Sequence, residues 1–185
     1  KKIVFSGVGK TSNEISYAID KKILLINAES KSEINVIEKI AKSKKKIVDI
    51  GIRLNPNTDA RTLKQISTGK KENKFGVDEK TFFSLINYCK LSKNIDLKCL
   101  SVHIGSQILD YKPYEKMLKV VDKIIKKSNH KFEFIDLGGG MGISYEKNSK
   151  KLNYKKYNIA IKKFLKNHKS KIIFEPGRSI VGNIG

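Results

Sequence analysis

The chain has 185 residues, 39% of them hydrophobic, with 39 Lys and Arg against 18 Asp and Glu for a formal net charge of +21. That apolar share supports one buried core and rules out a disordered chain, and no apolar run approaches the ~20 residues that a membrane-spanning helix needs. The charge invites a nucleic-acid reading, which its distribution opposes: Lys is spread over every region, Arg occurs only as Arg53, Arg61 and Arg178, and no aromatic side chains interleave a basic stripe as base stacking requires. The lysines read as solvated faces, with runs such as 42–46 and 147–151 at helix ends and loops. Cys89 and Cys99 have neither metal-ligand spacing nor the density of a disulfide scaffold, which predicts free buried thiols and no metal. With no profile of a signal peptide, a cytoplasmic location is expected.

In chain order, short β-rich runs alternate with segments of helical period. The first run, Ile3 to Ser6, is followed by Thr11-Ser12-Asn13-Glu14, a hydroxyl residue three positions before Glu as in a capping box. Ile23 to Asn27 follows, then Ser30-Lys31-Ser32-Glu33 with the same spacing and a helix whose stripe is Ile34, Ile37 and Ile40. The third run is Ile47 to Asn55, and Arg53 within it needs an anionic partner if it is buried. A cofactor oxygen, a carboxylate of the fold, or escape to solvent would each satisfy it. Cys99 to His103 is the fourth run, ahead of a helix marked by Met117, Leu118, Val121, Ile124 and Ile125. Phe134 to Leu137 and Ile172 to Glu175 complete six predicted strands. Strict βα alternation gives a parallel sheet, and periodicity leaves both a barrel and an open doubly wound sheet. In either, chemistry sits beyond the carboxyl ends of the strands.

Three segments at such ends carry chemistry: 101–107 (Ser-Val-His-Ile-Gly-Ser-Gln), 135–140 (Ile-Asp-Leu-Gly-Gly-Gly) and 173–178 (Ile-Phe-Glu-Pro-Gly-Arg). They supply an imidazole (His103), a carboxylate (Glu175), a guanidinium (Arg178), and glycines whose backbone amides can approach a phosphate. That set suits a phosphorylated aromatic cofactor. Gly138-Gly139-Gly140-Met141-Gly142 lacks the spacing of a dinucleotide fingerprint. Ser6-Gly7-Val8-Gly9-Lys10-Thr11 fails as a nucleotide-binding P-loop, because the first glycine of that motif would have to stand at Val4.

These segments, with 3–10, Arg53-Leu54-Asn55-Pro56, Ile66-Ser67-Thr68-Gly69 and Glu72-Asn73-Lys74-Phe75-Gly76, occur in the order found in a known family. The chain resembles the pyridoxal-phosphate decarboxylases of the alanine-racemase-like barrel class, and within it the diaminopimelate decarboxylase family. The resemblance implies a partial (β/α)8 TIM-type barrel spanning residues 1–185, its six strands corresponding to the third through eighth of the family's eight. It implies that the first two strands, the Schiff-base lysine and a β-rich C-terminal domain lie outside these residues, so no lysine here is nominated as catalytic. Pyridoxal 5'-phosphate would be lined by His103, Ser106, Gly138, Gly139, Gly140, Glu175, Pro176, Gly177 and Arg178, with Arg178 also contacting substrate.

By the same resemblance His103 stacks on the pyridine ring, and Glu175 keeps the ring nitrogen protonated so that the ring acts as an electron sink. Ser106 could contact phosphate or the ring hydroxyl, or be an ordinary turn serine. Lys74 would make a salt bridge at the interface of a homodimer. The implied activity is removal of the D-centre carboxylate of meso-2,6-diaminopimelate to give L-lysine. Ornithine, arginine and carboxynorspermidine decarboxylases, and a barrel carrying the cofactor without turnover, are the alternatives. The partner is a small amino acid, with no nucleic acid and no membrane.

Overall fold

In the computed structural model, which describes residues 2–62, 66–69, 75–145 and 150–184, all six predicted strands are present. They are β1 (Val4–Phe5), β2 (Leu25–Ala28), β3 (Val48–Arg53), β4 (Ile95–Ser101), β5 (Phe134–Asp136) and β6 (Lys171–Ile173). Helices α1 (Ser12–Asp20), α2 (Lys31–Ser43), α3 (Glu79–Leu91), α4 (Lys112–Ser128) and α5 (Tyr154–Leu165) alternate with them, and the short α6 (Gly177–Val181) follows β6. Every neighbouring pair is parallel and the spatial order is the chain order, β1-β2-β3-β4-β5-β6. A doubly wound sheet reverses its order at a switch point, and none occurs here.

The sheet is also curled. Six strands laid flat would put the outer two about 24 Å apart at ~4.8 Å per strand, yet the Ser6 hydroxyl just past β1 donates a hydrogen bond to Glu175 just past β6. The architecture is therefore a partial (β/α) TIM-type barrel, an arc of six strands with helices outside.

Helices α1 to α5 lie on the outer face by apolar stripes: Ile34, Ile37 and Ala41 from α2, Met117, Val121 and Ile124 from α4, and Tyr157, Ile161 and Phe164 from α5 are buried against Ile26, Ile50, Ile52, Leu100 and Ile135 of the strands. Tyr114 and Tyr157 stack with centroids 4.4 Å apart where α4 meets α5. The Thr11 capping box is complete, with the Glu14 amide donating to Thr11 Oγ1 at 3.3 Å and the Thr11 amide donating to Glu14 Oε2 at 2.8 Å. Thr11→Ala is expected to cost about 1 kcal/mol in urea unfolding while Thr11→Ser costs much less; equal costs would mean the cap contributes nothing.

The second box is only half made. Ser30 accepts from the Glu33 amide, but the Glu33 carboxylate turns to the Glu29 amide at 2.6 Å and to Lys10 at 3.0 Å. One boundary moves further than the others: β4 begins at Ile95, four residues ahead of the expected Cys99. Asp96 and Lys98 break its apolar run but pair with each other at 2.7 Å, so the polar positions are tolerated. Among the described residues no helix is long and apolar enough to cross a membrane.

The inner face is polar where strands reach their carboxyl ends. Register sets Asn27 beside Gly51, Gly51 beside Cys99, and Ser101 beside Asp136. Gly51 is glycine for a visible reason: a Cβ there would lie 2.0 Å from Asn27 Oδ1, so a side chain would displace the asparagine from the inner layer.

Candidate active site

Residues 101–107, 135–140 and 173–178 converge through the glycine run. A Cβ on Gly138 would lie 2.6 Å from His103 Nδ1, one on Gly139 would lie 2.1 Å from the Glu175 carbonyl oxygen, and one on Gly140 would lie 2.1 Å from the Gly105 carbonyl oxygen. Each missing side chain is thus occupied by a neighbouring segment. Gly138 and Gly140 also have φ of +65° and +86°, where a Cβ is strained. Hydrogen bonds close the same interlock: Glu175 N–H to the Gly138 carbonyl at 2.9 Å, Ile108 N–H to the Gly140 carbonyl at 2.9 Å, and the buried Tyr114 hydroxyl to the Gly139 carbonyl at 3.2 Å.

The amides of this run were expected to form a phosphate nest, and two of them are engaged elsewhere. Gly138 N–H donates to Asp136 Oδ1 at 2.9 Å and Gly139 N–H donates to His103 Nδ1 at 3.2 Å. Gly138 and Gly139 allow a close approach that fixes His103 and Glu175 relative to each other. Gly177 is different, since nothing lies within 4 Å of where its Cβ would be and the turn there is open.

The bond from Gly139 makes His103 Nδ1 an acceptor, so the ring proton sits on Nε2. Burial, and secondarily the positive charge of Arg53, lower the His103 pKa to about 4. The imidazole is therefore neutral at physiological pH, a flat face without charge. Because the folded pKa lies below the ordinary value near 6.5, the stability this site contributes is present above pH ~6.5 and is lost as pH falls towards 4. Nitrogen-15 NMR is expected to show the Nε2–H tautomer with no titration from pH 5 to 8; an Nδ1–H ring or a midpoint near 6.5 would contradict it.

Behind His103, Thr68 donates its hydroxyl to the His103 carbonyl at 2.9 Å and its amide to the Ile104 carbonyl at 3.1 Å, so the 66–69 segment braces the strand end. Arg53 finds its anion in the fold itself: Nη1 lies 2.8 Å from Glu29 Oε1, the pair is largely buried, and Phe75 stacks 5.3 Å from the guanidinium. Arg178 is exposed, lies 5.8 Å from the Tyr145 ring centroid and donates to the Tyr145 hydroxyl. Ser106 and Pro176 are half-buried on the rim, Ser106 held by its amide on the Ile66 carbonyl at 3.0 Å. Lys74 lies outside the described residues.

Lys10 also answers the P-loop question. Its side chain is 1% exposed and its ammonium is spent on Glu33 at 3.0 Å and the Asn27 carbonyl at 2.7 Å, where it ties the loop after β1 to β2 and α2.

Reasoning from sequence did not nominate Ser6, Asn27 or Asp136. Asp136 is fully buried and accepts from Asn27 Nδ2 at 2.7 Å, Gly138 N–H at 2.9 Å and Ser101 Oγ at 3.5 Å. Burial first, and then the charge of Glu175, push its pKa up to about 7. The only signal was position, since Ser6, Asn27 and Asp136 all stand at or next to the carboxyl ends of strands.

This donor set fits a phosphorylated pyridine: a carboxylate for the ring nitrogen, a neutral imidazole for the ring face, and an open glycine turn followed by a guanidinium for anionic groups. Comparison with known proteins agrees. The family described as pyridoxal-dependent decarboxylase, pyridoxal binding domain, matches residues 1–182. Diaminopimelate decarboxylase of Aquifex aeolicus is 39% identical over 188 residues, covering 100% of this chain and 45% of the relative, and that of Helicobacter pylori strain J99 is 44% identical over 187 residues, covering 100% and 46%. The crystal structure of Helicobacter pylori diaminopimelate decarboxylase complexed with L-lysine superposes with a TM-score of 0.91 at 42% identity over 96% of this chain and 46% of that one. The chain spans about half the length of the curated relatives it matches. By its sequence across nearly every residue and by its fold, the chain belongs to the pyridoxal-dependent decarboxylases, as their pyridoxal-binding domain.

Proposed function

We propose that this chain is the cofactor-binding part of an enzyme that decarboxylates meso-2,6-diaminopimelate at its D-centre to give L-lysine. The observation that carries the reading is the convergence of Glu175 and His103 on Gly138–Gly140. The identity of about 40% to diaminopimelate decarboxylases across the whole chain supports the substrate. The Helicobacter pylori enzyme was crystallised with L-lysine, which is what loss of one carboxylate from diaminopimelate leaves.

When bound, pyridoxal 5'-phosphate would supply an electron sink for the pair of electrons left behind as carbon dioxide departs. The protein's own residues set the conditions for that. The Glu175 carboxylate would hold the proton on the pyridine nitrogen and favour its retention. His103 would offer the ring a neutral imidazole, adding no positive charge that would compete with a protonated ring. Ser106, Gly140, Pro176, Gly177 and Arg178 would hold the phosphate, and Arg178 would also offer a planar fork to a substrate carboxylate. In this reading the Schiff-base lysine and a β-rich domain are supplied by residues outside these 185, in a cytoplasmic homodimer.

The test is carbon dioxide release by the product of the complete coding frame, with pyridoxal phosphate, from meso-diaminopimelate, ornithine, arginine and carboxynorspermidine in parallel. Release from diaminopimelate at a rate at least about a hundred-fold above the others is expected, the kind of ratio that polar recognition of an extra substrate group gives. Preferential release from another amino acid would overturn the substrate.

A further inference from the structure

Glu175 is held by more than its own strand end. We propose that Ser6 and Asn27 are positioning residues for the Glu175 carboxylate, holding it through a hydrogen-bonded chain in which each proton has one direction. The functional meaning rests on the cofactor reading above.

The directions follow from donor chemistry. Asp136 accepts at both oxygens, Oδ1 from the Gly138 amide and Oδ2 from Asn27 Nδ2 at 2.7 Å, so Asn27 presents its nitrogen. The second proton of that nitrogen points to Ser6 Oγ at 2.9 Å, which makes the Ser6 oxygen an acceptor from Asn27. Ser6 has a single proton to give, and it goes to Glu175 Oε1. Turning the Asn27 amide over would face its oxygen to two acceptors and leave both N–H groups unpaired.

An otherwise unexplained feature supports the assignment. Asn27 is 1% exposed, and its Oδ1 is a buried oxygen with no hydrogen-bond partner among the described residues. A buried unpaired acceptor is costly and persists only where something else fixes the group. Here the two acceptors on the nitrogen side fix it, and Gly51 leaves room for the orphaned oxygen.

The groups around the pair leave the two carboxyls as the charges that matter. Ser101 and Cys99 of β4 face them, and burial raises the Cys99 thiol far above its usual range, so it is neutral. Arg53 of β3 is spent on Glu29. Asp136 and Glu175 also interact directly, so the Ser6 hydroxyl is one of two groups that act on the Glu175 carboxylate.

Two readouts test this on the product of the complete coding frame. In the cofactor-free protein, the infrared difference between wild type and Glu175→Gln isolates the Glu175 carboxylate stretch. Ser6→Ala and Asn27→Leu are each expected to shift that band, and Ser6→Thr to restore it, since threonine keeps the hydroxyl. Ser6 is only half-buried, so Ser6→Ala keeps the test open if Asn27→Leu does not fold. In the protein with pyridoxal phosphate, Ser6→Ala is expected to lower kcat about ten-fold, the effect of one hydrogen bond to a charged group, with KM little changed. An unmoved band in Ser6→Ala would overturn the proposal. A moved band in a protein that binds no pyridoxal phosphate would uphold the positioning and refute the cofactor reading, so the two failures are separable.

Discussion

Glu175→Gln is expected to slow decarboxylation on the order of 10²-fold, the scale at which removing one preorganised electrostatic partner acts, while the affinity for pyridoxal phosphate changes by a few-fold at most. Glutamine keeps the shape of the side chain, and its amide oxygen can still accept from the Ser6 hydroxyl. What it loses is the negative charge that favours a proton on the ring nitrogen. Affinity depends on the rim as a whole, whereas the electron sink depends on that proton. Carbon dioxide release at saturating substrate, set beside an absorbance titration of the cofactor, separates the two. Equal losses in rate and affinity would refute the electron-sink role.

Gly139→Ala is expected to cost about 3 kcal/mol or more and to abolish cofactor binding. The new Cβ would stand 2.1 Å from the Glu175 carbonyl oxygen and 3.0 Å from its carbonyl carbon, both backbone atoms with no rotamer to escape into. Relief requires moving the strand end that carries Glu175, and with it the ring-nitrogen partner. Gly177→Ala is the matched control, because nothing lies within 4 Å of its Cβ position, and its stability cost should stay within about 0.5 kcal/mol. Thermal melting of the two variants decides the matter. Similar melting temperatures would mean that the interlock of the three segments is not what holds the site together.

Much of this fold is legible in the sequence because two periods alternate cleanly. Runs such as Leu25-Ile26 report burial on both faces, and stripes such as Met117, Val121 and Ile124 report a helix laid on a sheet. The choice between barrel and open sheet is not local information. It lies in strand order and in the curl that brings Ser6 to Glu175, two residues at opposite ends of the chain. The family resemblance carried that choice, and the sequential parallel order agrees with it.

The site divides in the same way. His103, Glu175 and Gly138–Gly140 stand out because imidazole, carboxylate and glycine runs at strand ends are chemically unusual. Ser6 and Asn27 do not stand out, since serine and asparagine are common where strands meet loops, and their meaning appears only when register sets Asn27 against Asp136. Arg53 was recognisable as a buried charge, but its partner Glu29 lies at the end of a different strand, and nothing in spacing along the chain links the two. The glycine amides mislead in the opposite direction. A run of glycines suggests a nest of donors, yet the Gly138 and Gly139 amides serve Asp136 and His103.

The most direct measurement is the visible absorbance of the product of the complete coding frame on titration with pyridoxal phosphate, followed by carbon dioxide release on adding meso-diaminopimelate. The account predicts a saturable band distinct from the free cofactor, and release that begins with the substrate. The absence of any such band at saturating cofactor would contradict the claim that Glu175, His103 and the glycine run form a pyridoxal-phosphate site.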